Sequence, residues 1–178
     1  ANNLKGRVPV PMEQCATLHA LCYRGMGKPP IAEVGKLRKE WNEFAAGKGM
    51  DIWVLDKEGS TDEDVFHERL REHGTGQMLS AYTLWRVTGR TNAVLEEFTK
   101  TFAKYWEQFK KSHGAVDFTD MLEAGLNMAH CPGNPPVLML DEAQDLTPLQ
   151  WQVFMHWAEA AERVVIAGAP GQAIFSFA

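Results

Sequence analysis

Cysteine is scarce: there are three, an odd number in no framework spacing. A disulfide scaffold is thereby excluded, and a reducing compartment fits better. No apolar run approaches the roughly 20 residues of a membrane span. The N-terminal Ala1-Asn2-Asn3-Leu4-Lys5 has no apolar signal region. The chain therefore reads as soluble, cytoplasmic and without a membrane partner. A basic excess is also missing. The formal net charge of −5 argues against a free-standing nucleic-acid binder, although the local distribution of charge matters more than the sum. Neither an internal repeat nor a low-complexity tract occurs. Absent too is any G-x-x-x-x-G-K-S/T loop of the kind that cradles phosphates. Gly25-Met26-Gly27-Lys28 has glycines and a lysine, but it closes a helix and runs into Pro29-Pro30, the wrong geometry for such a loop.

What is present is the composition of a packed protein. The 178 residues are 45% hydrophobic and 23% charged, enough for one domain or two small subdomains. Six tryptophans and nine phenylalanines supply core anchors. Pro29-Pro30 and Pro135-Pro136 bracket a middle region that reads as almost entirely helical.

The first helix is expected to start near Ala16 or Thr17 and to end before Gly27. Val34, Leu37, Trp41 and Phe44 then recur at helical spacing before Gly47. Residues 51–56 read as a short strand or an extended linker. Thr61 reads as an N-cap, with acidic residues in the first turn and Gly74 as the stop. Another helix is expected over 77–88. From about Ala93 to Ser112, Val94, Leu95, Phe98, Phe102, Tyr105, Trp106 and Phe109 form one apolar stripe. Lys100, Lys104, Lys110 and Lys111 on this helix read as a solvated face rather than a duplex contact. A further helix follows Asp117, an expected N-cap, and carries Phe118, Met121, Leu122 and Leu126.

Past Pro136 the pattern changes. Val137-Leu138-Met139-Leu140 and Arg163-Val164-Val165-Ile166-Ala167-Gly168 are short apolar runs bounded by turn signals. Doubly buried parallel strands read this way. Between them Thr147, Pro148 and Gln150 announce a capped helix. Strand, turn, helix, strand is a right-handed crossover unit.

At the end of the first run come Asp141 and Glu142. Ligands bind at the C-terminal edge of open parallel sheets. An Asp there suits Mg²⁺ beside nucleotide phosphates, and a neighbouring Glu suits activation of a water. On the apolar run alone, a polar strand end or a helix cap reads equally well.

The whole string Asp141-Glu142-Ala143-Gln144-Asp145, followed by Leu146-Thr147-Pro148, resembles motif II of UvrD-like (superfamily 1A) ATP-dependent DNA helicases. The resemblance implies that Asp141 and Glu142 hold Mg²⁺ and that Glu142 activates water. It implies also that Gln144 and Asp145 couple the nucleotide site to DNA-bound segments. Ile166-Ala167-Gly168-Ala169-Pro170-Gly171-Gln172-Ala173-Ile174-Phe175-Ser176-Phe177 is similar to motif III of the same family. By that likeness Gln172 is a catalytic sensor of the γ-phosphate, and Phe175 and Phe177 are platforms for single-strand bases. Stacking suits a motor because every base has a π-face; read by themselves, both rings could equally be core. The family has Asp where Ala169 stands, and this departure is expected to weaken the local polar network. Ala16-Thr17-Leu18-His19-Ala20-Leu21 resembles the family's Thr-x-His segment, which implies contacts from Thr17 and His19 to the DNA backbone. Taken alone, those two residues are an N-cap and a surface histidine. Val116-Asp117-Phe118-Thr119-Asp120-Met121-Leu122 resembles the stretch where such chains return from their helical insertion.

The resemblance implies an α/β fold: a partial RecA-like parallel sheet of the P-loop NTPase type, formed by residues 1–27 and 116–178. A mostly helical insertion spans 28–115. It implies a bacterial or phage-encoded helicase that uses ATP and Mg²⁺ on single-stranded DNA. The chain is then expected to be a monomeric fragment, cut at both ends and without ATPase activity alone, since the phosphate loop lies upstream in such proteins. Two alternatives stand beside this. One is a non-catalytic helicase-derived interaction module, favoured by Ala169 and the missing loop. The other is the motor part of a RecB-like helicase–nuclease. A zinc site from Cys15, His19, Cys22, His130 and Cys131 fits no common ligand spacing.

Overall fold

The computed structural model describes residues 15–50, 75–88 and 97–169. The expected elements at 51–56 and between Thr61 and Gly74 lie outside them. Along the chain run α1 (Leu18–Gly25), α2 (Gly35–Gly47), α3 (Thr75–Val87), α4 (Glu97–His113), α5 (Phe118–Leu126), β1 (Val137–Leu140), a 3-10 turn (Ala143–Asp145), α6 (Pro148–Ala158) and β2 (Arg163–Ile166). The fold is α/β with a two-stranded parallel sheet. The chain divides into two compact units, one of Ala1–Lys28 with Asp120–Ala178 and one of Pro29–Thr119.

The helical unit is built around aromatic rings. Trp41 of α2 is 1% exposed and meets Phe102, Trp106 and Phe109 of α4 edge-on at 5.6, 4.8 and 5.4 Å between centroids. Edge-to-face pairs set the positive ring edge against the negative face, each contributing about 0.5–1.5 kcal/mol beyond area burial. The i, i+4 and i, i+3 spacing of Phe102, Trp106 and Phe109 puts all three on one helical stripe.

Under this cluster lies a charged knot that sequence reasoning missed. Asp117, 2% exposed, accepts from both Arg86 (3.1 and 2.9 Å) and the Trp106 indole (2.8 Å). Lys110 Nζ donates to it at 2.7 Å. Lys110 therefore departs from the solvated face expected of it: it is 3% exposed and turns inward to meet a buried carboxylate. Asp117 sits just before α5, as an N-cap should, yet it is shared with three side-chain donors. Nearby, Glu33 is 2% exposed and accepts from the Phe118 amide at 2.8 Å, while Ile31 and Val116 form a parallel bridge. The two ends of this unit's chain are thus tied together.

In the other unit, α1, α5 and α6 pack through small residues. A Cβ on Gly125 would stand 2.8 Å from Cys22 Sγ and 3.0 Å from Val153 Cγ1. That space is what lets α5 approach its neighbours. The Trp157 indole donates to the Gly125 carbonyl at 3.0 Å. His156 Nε2 lies 2.8 Å from the Met128 carbonyl, a contact that requires the proton on that nitrogen. Burial pushes the Cys22 thiol up to about 12, as expected of a structural rather than a reactive cysteine.

The α6 start follows its sequence signature. The Thr147 hydroxyl accepts from the Gln150 amide at 3.3 Å, and Gln150 Oε1 accepts from the Thr147 amide at 2.8 Å. Pro148 occupies the first turn. Both β-runs form strands, paired in parallel from Val137↔Arg163 to Leu140↔Ile166. Their burial, however, is not what the apolar runs lead one to expect. Leu138 is buried, but Val137 and Met139 are 44% and 63% exposed, and all four residues of β2 are exposed. Double burial needs neighbouring strands and helices on both faces, and the described sheet has two strands.

Candidate functional site

β1 ends at Leu140, and the next two residues are the acidic pair. Asp141 and Glu142 are both exposed and belong to neither helix nor strand. The ladder continues past them. The Ala167 amide donates to the Leu140 carbonyl at 2.8 Å, and the Ala143 amide donates to the Ala167 carbonyl at 3.0 Å. The acidic pair thus bulges from the C-terminal edge of the parallel sheet between two backbone hydrogen bonds to the segment that follows β2.

Glu142 makes that bulge by adopting φ 54°, ψ 44°, the left-handed region. For a residue with a side chain this conformation costs roughly 1–2 kcal/mol. It persists here because the 3-10 turn, closed by the Asp145 amide on the Glu142 carbonyl at 3.0 Å, and the ladder on either side over-determine it. Strain of this kind concentrates at functional positions.

The Glu142 carboxylate is held. Gln144 Nε2 donates to Glu142 Oε2 at 2.6 Å, and Gln144 Oε1 accepts from the Ala169 amide at 3.0 Å. Gly168 leaves the space this needs, since a Cβ there would lie 2.7 Å from Gln144 Oε1 and 3.2 Å from Ala143 Cβ. The sequence shows Ala169 without a carboxylate; the structure shows its backbone N–H as the group used. Sequence reasoning missed the Gln144 bridge and the left-handed Glu142. The only signal was the glycine at 168.

The donor set suits a hard cation. Both carboxylates are exposed at one strand end, and Mg²⁺ ordinarily takes one or two carboxylates while keeping several waters. Among the described residues, Asp141, Glu142 and Asp145 do not form a three-ligand group with oxygens within 4.8 Å of one another. Around this pair the described residues thus build no closed protein cage. No three of Cys15, His19, Cys22, His130 and Cys131 form such a group either.

The remaining expected residues divide. Thr17 is exposed at the start of α1, its hydroxyl accepting from the Ala20 amide at 3.2 Å as an N-cap. His19, by contrast, is 7% exposed. The surface position expected of it is not observed: it lies one residue inside α1, on the face that also carries buried Cys22. Gln172, Phe175 and Phe177 lie outside the described residues. No described helix is long and apolar enough to cross a membrane.

Comparison with known proteins adds to this geometry. The family model described as UvrD/REP helicase N-terminal domain matches residues 3–178. The chain is 29% identical over 94 residues to the RecBCD enzyme subunit RecB of Mycolicibacterium smegmatis, a stretch covering 48% of this chain and 9% of that protein. No solved structure matches the chain.

Proposed function

The chain belongs to the UvrD/REP helicase N-terminal domain family, and from that premise we propose that it is part of an ATP-dependent DNA helicase that couples Mg-ATP hydrolysis to movement on single-stranded DNA. In this reading residues 1–27 and 116–178 are part of a RecA-like motor domain, and 28–115 are its helical insertion. The observation that carries the proposal is the acidic pair at the carboxyl edge of a parallel strand pair, with one carboxylate fixed by a neighbouring amide.

Asp141 and Glu142 would hold Mg²⁺, whose charge when bound offsets that of the phosphate oxygens. Glu142 orients a water and takes its proton, a role that suits a carboxylate already held at one oxygen. Gln172 senses the terminal phosphate. Gln144 and Asp145 connect this edge to the strand-binding segments. Thr17 faces the DNA backbone from the α1 N-terminus. Phe175 and Phe177 stack on bases.

The test is Glu142→Gln in the full-length protein. DNA-stimulated ATP hydrolysis should fall about 10²- to 10⁴-fold, the range for loss of a general base, with nucleotide binding retained. Turnover within twofold of wild type would refute the assignment. The likeness to RecB supports a narrower reading, a RecB-like helicase–nuclease motor. A nuclease activity in the full-length protein that survives Glu142→Gln would establish it.

A further inference from the structure

Gln144 is a short side chain with two jobs that face opposite ways. Its amide nitrogen meets a carboxylate oxygen, and its amide oxygen meets a backbone N–H. The orientation is fixed by chemistry. Flipping the amide would set Gln144 Oε1 against Glu142 Oε2 and an NH₂ against the Ala169 N–H, repelling at both ends. The two partners lie on different segments, Glu142 after β1 and Ala169 after β2. Backbone hydrogen bonds join these two segments beside the amide bridge.

We propose that Gln144 is a positioning residue whose amide clamps the Glu142 carboxylate to the Ala169 backbone, so that the segment after β2 sets where that carboxylate points. The inference rests on the reading of Glu142 as the water-activating group. It specifies how the site is regulated: displacement of the 168–169 backbone releases the carboxylate, and a change at the carboxylate is felt at Ala169. Gly168 is part of the device. Any side chain there pushes on Gln144 Oε1, as a Cβ would stand 2.7 Å from it. The same segment continues in sequence toward Gln172. It also accounts for an alanine at 169, because the group required there is the main-chain N–H and not a side chain.

The experiment uses backbone NMR of the 178-residue chain with Mg²⁺ alone as the probe. In wild type the Ala169 amide should be protected from hydrogen exchange, and Mg²⁺ should shift both Glu142 and Ala169. Gln144→Leu should speed Ala169 exchange about tenfold or more and confine the Mg²⁺-induced shift to Asp141 and Glu142. Gln144→Glu separates clamping from simple packing. It keeps an acceptor for Ala169 but puts a like charge against Glu142, so protection should persist while the Mg²⁺ response at Ala169 disappears. Gly168→Ala, which leaves both partners unchanged, should reproduce the Gln144→Leu pattern and serves if that variant misfolds. Unchanged Ala169 exchange in both Gln144→Leu and Gly168→Ala would overturn the clamp. So would a Mg²⁺ response at Ala169 that survives them. If Mg²⁺ shifts neither carboxylate in wild type, the nucleotide-site reading falls instead, and the exchange rates still decide the clamp.

Discussion

At residue 117 a single carboxylate serves three donors, and the environment decides what it is worth. Arg86, Asp117 and Lys110 have side chains only 3–4% exposed. Removing one partner of such a set leaves the others charged in a medium that cannot solvate them, which costs about 3–5 kcal/mol. Asp117→Ala should therefore lower the urea midpoint of the helical unit strongly. The Lys36–Glu40 pair has a similar distance, 2.9 Å, but Lys36 is 88% exposed, and Lys36→Ala should leave the midpoint unmoved. Glu142 presents the opposite case, a residue that strains the fold. Its left-handed backbone is one that glycine adopts without penalty. Glu142→Gly should raise stability by about 1 kcal/mol in thermal unfolding while abolishing hydrolysis in the full-length protein. A loss of stability would mean that the carboxylate's bond to Gln144 outweighs the strain.

Among the described elements, two helices formed where their local chemistry announced them. The α6 start depended on Thr147, Pro148 and Gln150 acting within one turn, and α4 depended on a stripe of rings at helical period. Such signals are contained in the segment itself. The strands also formed, but their burial did not follow, because burial depends on what packs against each face and not on the run. For the same reason Lys110 deceived: an amphipathic pattern assigns cations to water, and only the fold brings Asp117 within 2.7 Å. Gly125 was equally illegible, since a glycine inside a helix ordinarily signals weakness. Here it is a point of close approach, with Cys22 and Val153 against it. Gly125→Ala should gain helix propensity yet destabilise this unit by about 1–3 kcal/mol through overpacking. Pairing it with Cys22→Ala, which removes the sulfur it would strike, should recover most of that loss. Failure of the second change to compensate would place the cost on Val153 instead.

For the molecule as a whole, the acidic edge was legible because Asp141-Glu142-Ala143-Gln144-Asp145 is contiguous, whereas the clamp joins 142, 144 and 169 and needed the crossover to bring them together. An acidic edge by itself is half of a nucleotide site. Carboxylates hold a cation, but the triphosphate needs backbone N–H groups and a lysine to approach against its own charge. The 178 residues contain no G-x-x-x-x-G-K-S/T sequence and carry a formal net charge of −5. ATP⁴⁻ would therefore meet two exposed carboxylates without the cradle that offsets them. The purified 178-residue chain should hydrolyse ATP no faster than buffer containing Mg²⁺, and adding single-stranded DNA should not change this. Steady-state phosphate release at micromolar chain concentration is sufficient to check it. The informative control is Glu142→Gln in the same 178-residue chain, which should be indistinguishable from the parent there although it should cripple the full-length protein. Turnover in the chain that Glu142→Gln removes would mean that the acidic edge binds and activates the nucleotide without a phosphate loop, and the division of labour proposed for the motor would have to be redrawn.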